Sequence, residues 1–198
     1  MRPQALPMLV VLAVAFGCAT QPAKTADLKG KKVVLIIAHD GFRDEELNEP
    51  KAALGKCGAQ VAVASTSLDP AKGMLGGTAK PTILLKDVNA ADYDAIVFVG
   101  GIGAKGYFDD PKAHELAQAA AKDKVLGAIC IAPVILARAG VLKGKKATVY
   151  SSMKADLTKA GADYTGRHVE VAGNIITAEG PSAARQFANA IIDALSKK

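Results

Sequence analysis

The sequence predicts an α/β/α sandwich built on a mostly parallel sheet, and two observations lead to this prediction. Apolar runs of strand length recur along the chain, and amphipathic segments of helix length lie between several of them. Strands that are apolar throughout are typical of parallel sheets covered by helices on both faces. The sequence carries no internal repeat or low-complexity tract that would indicate another architecture.

The predicted strands and helices alternate along most of the chain. The strand-like runs cover residues 33–38, 60–65, 95–99, 125–129, 147–150 and 175–178. The helical patterns cover residues 45–56, 111–122, 131–139, 153–160 and 182–195. Residues 73–88, with 82–85 as a possible strand, predict a small β excursion off the main sheet.

The composition fits one domain with a large core. Half of the 198 residues are hydrophobic, and residues 25–198 need no second domain. The formal net charge is +6, but the lysines are scattered and have no aromatic residues between them. This pattern indicates a solvated basic surface and does not favour nucleic-acid binding.

Residues 1–24 are predicted to be an export signal and tether outside the fold. Arg2 precedes an apolar stretch from residue 6 to residue 16, which is too short to span a membrane. Cys18 follows a small residue just after it, as in a bacterial lipoprotein cleavage site, so we expect a lipid anchor on the periplasmic side. The alternative is a secretory signal cut near Ala19, which would release a soluble periplasmic or secreted protein.

The other two cysteines, Cys57 and Cys130, match no metal motif by their spacing. Residues 100–106 are rich in glycine but lack the spacing of a dinucleotide fingerprint. We therefore expect neither a metal nor a cofactor. Cys57 is predicted at a helix end and Cys130 at the end of a strand elsewhere in the sheet, so a disulfide is disfavoured and Cys57 is expected in the core.

Cys130 lies at the predicted turn from a buried strand into a helix. Unpaired N–H groups and the positive dipole end at a helix start favour an anion, so we expect a lowered thiol pKa and a reactive thiolate. The alternative is an inert thiol packed in the core, because free cysteine is among the most buried residue types.

Ligands of open parallel sheets bind outside the carboxyl ends of the strands. Gly100 and Gly101 follow one such strand, and their backbone can turn sharply toward a neighbouring group. The N–H groups of Gly101 and Ile131 are therefore candidate donors of an oxyanion hole beside Cys130. Glycines also end strands for steric reasons alone, and that alternative stays open.

Glu46 is predicted in the first turn of a helix, where the dipole favours a carboxylate whatever its function. If Glu46 turns inward to meet Cys130, burial would raise its pKa, and the protonated carboxyl could donate a hydrogen bond to the thiolate. Spacing alone does not establish this pairing.

Five motifs in order resemble the ThiJ/PfpI superfamily, the group that includes the parkinsonism-linked protein deglycase. They are Ala128-Ile129-Cys130 with Pro133, Val99-Gly100-Gly101, Asp40-Gly41-Phe42 through Glu46-Leu47 to Pro50, Glu179-Gly180-Pro181, and residues 145–162, which are similar to the peptidase-like branch. The resemblance implies a flavodoxin-like sandwich of the class I glutamine amidotransferase type and a homodimer or larger homo-oligomer. It also implies an elbow nucleophile at Cys130, a contacting Glu46, and amide donors at Gly101 and Ile131.

Two positions depart from the superfamily pattern. The peptidase branch has a histidine directly after the cysteine, where this chain has Ile131. The deglycase branch brings a histidine from the strand after the elbow helix, where this chain has Tyr150. A Cys-His hydrolytic pair then lacks its base, so protease activity is not expected.

The remaining polar candidates are accessory. His39 could serve as a substitute base if it reaches the pocket, or it could make a local hydrogen bond. Tyr150 could hydrogen-bond in the pocket, although core packing is favoured. His114 is expected at the surface, and His168 has no evident partner in the sequence.

Three functions are compatible with this site. The first is a glyoxalase or deglycase-like enzyme in which Cys130 attacks a small reactive carbonyl. The second is a non-enzymatic redox sensor or chaperone-like protein in which an oxidant converts Cys130 to a sulfinate. The third is a scaffold whose thiol only packs.

Overall fold

The computed structural model describes residues 26–198, so the predictions for residues 1–24, Cys18 included, lie outside it. Seven strands form the main sheet in the order β11-β12-β8-β7-β1-β3-β6, and all neighbours are parallel except β11 and β12. The strands are β1 (Lys32–Ile36), β2 (Asp40–Phe42), β3 (Gln60–Ser65), β4 (Ala71–Gly73), β5 (Thr78–Ala79), β6 (Ile83–Leu84), β7 (Ala95–Phe98), β8 (Val125–Ile129), β9 (Lys146–Ala147), β10 (Asp163–Tyr164), β11 (Val169–Ala172) and β12 (Ile175–Ala178).

Residues 26–198 contain five α-helices. They are α1 (Asp44–Lys56), α2 (Pro111–Asp123), α3 (Pro133–Arg138), α4 (Lys154–Lys159) and α5 (Ala184–Leu195). Strands β7 and β8 are buried at every position, as continuous apolar strands between two helical layers should be. The predicted three-layer α/β sandwich is thereby confirmed. No helix among residues 26–198 is long and apolar enough to cross a membrane.

The order in which strands are added to the sheet changes direction at β1, so that β1 and β7 are neighbours. Strand β3 lies on one side of β1, and β7 lies on the other. In parallel sheets this arrangement opens a crevice at the carboxyl ends of the two strands. The segments after β1, β7 and β8 meet there.

Two strand predictions were wrong in part. The run 147–150 was expected to be a main-sheet strand, but β9 ends at Ala147 and pairs with β10 instead. The N–H of Thr148 is taken by Oγ1 of Thr177, and the N–H of Tyr150 by the carbonyl of Cys130, so no ladder continues. Within the predicted excursion, β6 joins the edge of the main sheet beside β3, while β4 and β5 form a small sheet with β2.

Candidate active site

Cys130 forms a sharp elbow between β8 and α3. Its φ of 63° is the one positive value at a non-glycine position among residues 26–198. Residues other than glycine rarely adopt a positive φ because Cβ crowds the backbone, so the surrounding structure must hold Cys130 in this conformation. It is held on both sides, since its N–H donates to the carbonyl of Ala178 at 2.9 Å and its carbonyl accepts from Tyr150 at 2.8 Å.

Glu46 comes from the first turn of α1 and is 0% exposed. Its Oε2 accepts a hydrogen bond from the N–H of Gly100 at 3.1 Å. Its Oε1 is buried and has no partner of ordinary hydrogen-bond geometry among the described residues. The thiol of Cys130 is close enough to interact with this carboxyl and shift its pKa.

Gly100 and Gly101 allow the cysteine and the glutamate to approach each other. A Cβ on Gly100 would stand 2.5 Å from both Cβ of Cys130 and Oε2 of Glu46, so no larger residue fits between them. Gly101 has a φ of 99° and lies directly against the backbone of Gly41 and Arg43. The N–H of Arg43 donates to the carbonyl of Gly100 at 3.0 Å and ties the two loops together.

Burial dominates the titration of the pair. It raises the pKa of Glu46 to about 7, against smaller lowering effects from Cys130 and the Gly100 N–H. Burial also raises the pKa of Cys130 to about 12, and the negative charge of Glu46 adds to this. The expected lowering of the Cys130 pKa is therefore wrong, because loss of water outweighs the donors around the sulfur and α3 has only six residues.

The amide N–H groups of Gly101 and Ile131 interact with the sulfur of Cys130, and both favour its charged form. One comes from the loop after β7 and the other from the residue after the elbow. Two main-chain donors thus converge from different segments on the same atom. This is the arrangement that an oxyanion or an oxidised sulfur needs.

An open cavity of about 390 Å³ lies above Cys130, which is 8% exposed. We call Glu46, Gly100, Gly101, Cys130 and Ile131 the floor of the site. The side chains that line the cavity are apolar, neutral polar or cationic, and Glu46 lies beneath this lining and is not part of it. The lining residues are Arg43, Met74, Gly101, Ile102, Lys105, Cys130, Ile131, Tyr150, Ser152, Met153 and Pro181.

Arg43, Met74, Lys105, Tyr150 and Met153 form what we call the rim. Arg43 makes a bidentate ion pair with Glu45, at 2.8 and 3.0 Å. Hydrogen bonding within this pair raises the pKa of Arg43 and lowers that of Glu45. Arg43 is thus a fixed cation at the mouth of the cavity.

The β4–β5 hairpin carries Met74 to the cavity and is fastened by Asp44. The Oδ2 of Asp44 accepts from the N–H of Leu75, and its Oδ1 from the N–H of Gly77, both at 2.8 Å. A Cβ at Gly73 or Gly77 would collide with this carboxylate. Asp44, two residues before Glu46 on α1, therefore positions the hairpin that brings Met74 to the rim.

Tyr150 lines the cavity and is 47% exposed, so the expectation of core packing was wrong. It leaves the core because the strand predicted to carry it ends at Ala147. His39 follows β1 but does not line the cavity, and its buried Nδ1 has no partner among the described residues.

The other polar predictions lie away from the floor. His168 has a partner that sequence did not reveal, because its Nδ1 lies 2.5 Å from Oε1 of Glu179. His114 is partly buried and bonds the carbonyl of Phe108 at 2.7 Å. Cys57 and Cys130 are both free thiols, and Cys57 is only partly buried. Residues 26–198 contain no group of three or more metal-type ligands.

Sequence reasoning missed Arg43, Met74, Lys105 and Met153. Arg43 carried a usable signal, because it stands three residues before Glu46, which was already considered as a partner of Cys130. Met74, Lys105 and Met153 gave no signal, since their placement depends on how loops fold over the crevice.

Comparison with known proteins places this geometry in context. Residues 31–194 match the model of the DJ-1/PfpI family. The chain is 45% identical to the uncharacterized protein MJ0967 of Methanocaldococcus jannaschii, over 100% of the chain and 98% of the relative. It is 35% identical to the deglycase PYRAB04690 of Pyrococcus abyssi, over 75% of this chain and 90% of the relative. It is 28% identical to the glutathione-independent glyoxalase DJR-1.2 of Caenorhabditis elegans, over 83% and 89%.

Solved structures agree with these relatives. The ThiJ/PfpI domain protein from Brachyspira murdochii superposes with a TM-score of 0.83 and 33% sequence identity. The alignment covers 86% of this chain and 99% of that protein.

Proposed function

Since the chain belongs to the DJ-1/PfpI family, we propose that it is a stress-related enzyme that acts on small reactive carbonyls through Cys130 and Glu46. Relatives named deglycase and glyoxalase support the substrate class. The observation that carries the proposal is a fully buried carboxyl, with a pKa of about 7, beside an elbow thiol at the base of a cavity.

Glu46 is the proton acceptor in this proposal. The Cys130 thiol is protonated at rest because its pKa is about 12, so the sulfur must lose its proton as it attacks. A carboxyl with a pKa of about 7 is partly ionised at neutral pH and is suited to accept that proton.

A 2-oxoaldehyde illustrates the reaction. The sulfur bonds to the aldehyde carbon, the thiol proton passes to Glu46, and the carbonyl oxygen becomes an oxyanion held by the amides of Gly101 and Ile131. Glu46 then returns the thiol proton to the oxyanion, which gives a hemithioacetal. Glu46 next moves a proton from the aldehyde carbon to the ketone carbon, while the hydroxyl proton of the hemithioacetal passes to the ketone oxygen, and this leaves the thioester of a 2-hydroxy acid. Water cleaves the thioester, frees Cys130 and releases a 2-hydroxy acid. The aldehyde carbon is oxidised and the ketone carbon reduced, so no external oxidant is needed.

Turnover of methylglyoxal by purified protein tests the proposal. Cys130→Ala and Glu46→Gln should each reduce kcat/KM by about a hundredfold or more, as removal of a nucleophile or its base does. In the wild type, kcat/KM should rise with pH through about 7 as Glu46 loses its proton. Equal activity of wild type and Cys130→Ala, in folded protein, would overturn the proposal.

A redox role for the same thiol is the second candidate, and the convergence of two amides on the sulfur favours it. Two equivalents of hydrogen peroxide would each transfer one oxygen to Cys130 and leave as water, which gives a sulfinate. Intact mass after graded peroxide, with the modified residue located by fragmentation, should show two added oxygens at Cys130. Equal oxidation of Cys57 would contradict an activated site.

Proteolysis is not part of the proposal. No histidine of residues 26–198 lines the cavity, and Ile131 follows the cysteine, so the thiol has no imidazole base there. Cleavage of casein by the wild type that is lost in Cys130→Ala would contradict this.

Two further expectations complete the proposal. We expect a homodimer or larger homo-oligomer, which light scattering of purified protein would test. We also expect export by residues 1–24 with lipid on Cys18, or else release of a soluble protein, which labelling with a fatty acid analogue in Cys18→Ser and wild-type chains would test.

A further inference from the structure

The charged side chains that line the cavity are all positive. Arg43 and Lys105 line it, and no carboxylate of the described residues does. Glu45 neutralises Arg43 through its bidentate contact. Lys105 is exposed and has no ion-pair partner among residues 26–198, so its charge is available to a bound molecule.

The main chain that carries Lys105 is fixed beside the floor. A 3-10 helix, Ile102–Tyr107, begins directly after Gly101, whose N–H faces the sulfur. The N–H of Ala104 donates to the carbonyl of Gly101 at 3.0 Å, and the carbonyl of Lys105 accepts from Phe108 at 3.2 Å. The lysine is therefore rooted four residues from an oxyanion donor, and its flexible stem can reach along the cavity.

The walls between these charges are apolar. Met74, Ile102, Ile131 and Met153 contribute methyl and thioether surface to the same cavity. A ligand that suits the whole cavity has a reactive carbonyl at Cys130, a short hydrocarbon segment, and an anionic end at the mouth. A neutral dicarbonyl such as methylglyoxal would leave Lys105 unused.

We infer that the preferred substrates are 2-oxoaldehydes that carry a carboxylate at the far end, and that Lys105 selects them by pairing with that carboxylate. This inference rests on the proposed function, because it assigns the substrate class of the same Cys130 site. Lys105 is a specificity residue and takes no part in the proton transfers.

The probe is 4,5-dioxopentanoate, and its methyl ester is the neutral counterpart of the same carbon chain. Wild-type kcat/KM should favour the acid over the ester by about fivefold, the value of one partly exposed ion pair. The preference should shrink between 20 mM and 500 mM salt, because ions screen an exposed pair.

Substitution then assigns the preference to one residue. Lys105→Met should lose the preference, because kcat/KM falls more for the acid than for the ester, and Lys105→Glu should reverse it. Lys51→Met, which removes an exposed lysine on α1 that does not line the cavity, should behave like the wild type. A preference that survives in Lys105→Met, or is absent from the wild type, would overturn the inference.

The two proposals fail in different ways. If the ester and methylglyoxal are turned over through Cys130 but the acid has no advantage, only the selection by Lys105 is wrong. If none of the three compounds is turned over by the wild type, the proposed function is wrong and the inference falls with it.

Discussion

The floor and the rim of the site are built on opposite principles. Each floor residue is buried or held by main-chain hydrogen bonds, and Glu46 and Gly100 fit without space between them. The rim consists largely of exposed side chains, with Met74 at 45% and Tyr150 at 47% exposure. The comparison teaches that backbone geometry holds the floor residues in place, whereas the rim residues are free to meet a molecule at the mouth of the cavity. Substitutions in the floor should therefore reduce stability and activity strongly, and substitutions in the rim should change them little.

The largest effect is expected from Gly100→Ala. The added methyl group would stand 2.5 Å from Cβ of Cys130, so the elbow or Glu46 must move. Overpacking of this kind costs about 1–3 kcal/mol, and a displaced nucleophile loses about a hundredfold in rate. Chemical denaturation and methylglyoxal kinetics would measure both.

Gly55→Ala is the matched control, because nothing lies within 4 Å of its added Cβ on α1. It should stabilise the protein by about 0.5–1 kcal/mol, as alanine does in a helix. If both variants shift stability equally, the floor is not tightly packed.

The next effect comes from the raised pKa of Glu46. A carboxyl whose pKa is about 7 in the folded protein and near 4.5 when unfolded contributes stability that is present at low pH and lost as pH rises through 7. The free energy of unfolding of the wild type, relative to Glu46→Gln, should therefore fall by about 2 kcal/mol between pH 5 and pH 8.

Glu49→Gln serves as the comparison for this prediction. Glu49 lies on the same helix, but its side chain is 44% exposed and pairs with Arg185 at the surface. The same measurement on this exposed carboxylate separates the effect of burial from the effect of removing a negative charge. A flat difference for Glu46→Gln would mean that Glu46 is not protonated near neutral pH.

A smaller, local effect is expected from Asp44. Asp44→Ala removes both acceptors of the Leu75 and Gly77 N–H groups, which should cost about 2 kcal/mol. Asp44→Asn keeps one acceptor and should cost less. Hydrogen exchange of the N–H groups of residues 75 and 77 should be fastest in Asp44→Ala and intermediate in Asp44→Asn. Unchanged protection in both variants would show that the hairpin is held by other contacts.

The smallest effect is expected from Tyr150→Phe. The side chain is half exposed at the mouth of the cavity. Stability should change by less than about 0.5 kcal/mol, as at ordinary surface positions, and methylglyoxal kcat/KM should stay within about twofold. A large loss of kcat would instead place the tyrosine hydroxyl in the reaction and move it from rim to floor.

The regular part of the fold could be predicted from local pattern. The strands 60–65, 125–129 and 175–178 have the predicted limits, because a polar residue bounds each apolar run on at least one side. The run 147–150 looked equally apolar, yet only its first residue pairs. The N–H groups of Thr148 and Tyr150 bond instead to Thr177 and Cys130, partners that lie far away in sequence.

In the site, too, features set by adjacent residues could be predicted, and contacts between distant segments could not. The Cys130 elbow follows from adjacent residues, but its contact with Glu46 joins loops that neither residue's neighbours specify. The direction of the Cys130 pKa could not be predicted, because it depends on how completely β8 and the Gly100 loop exclude water. The rim needed the hairpin fastened by Asp44, a contact across 31 and 33 residues.

The first turn of α1 joins the two regions. Arg43 donates its N–H to Gly100, Asp44 clasps the hairpin, and Glu46 receives the N–H of Gly100. Three residues within a stretch of four thus contact both the mouth and the reactive centre. The entrance and the reactive centre therefore share one short stretch of backbone, and a substitution that shifts this stretch should disturb both.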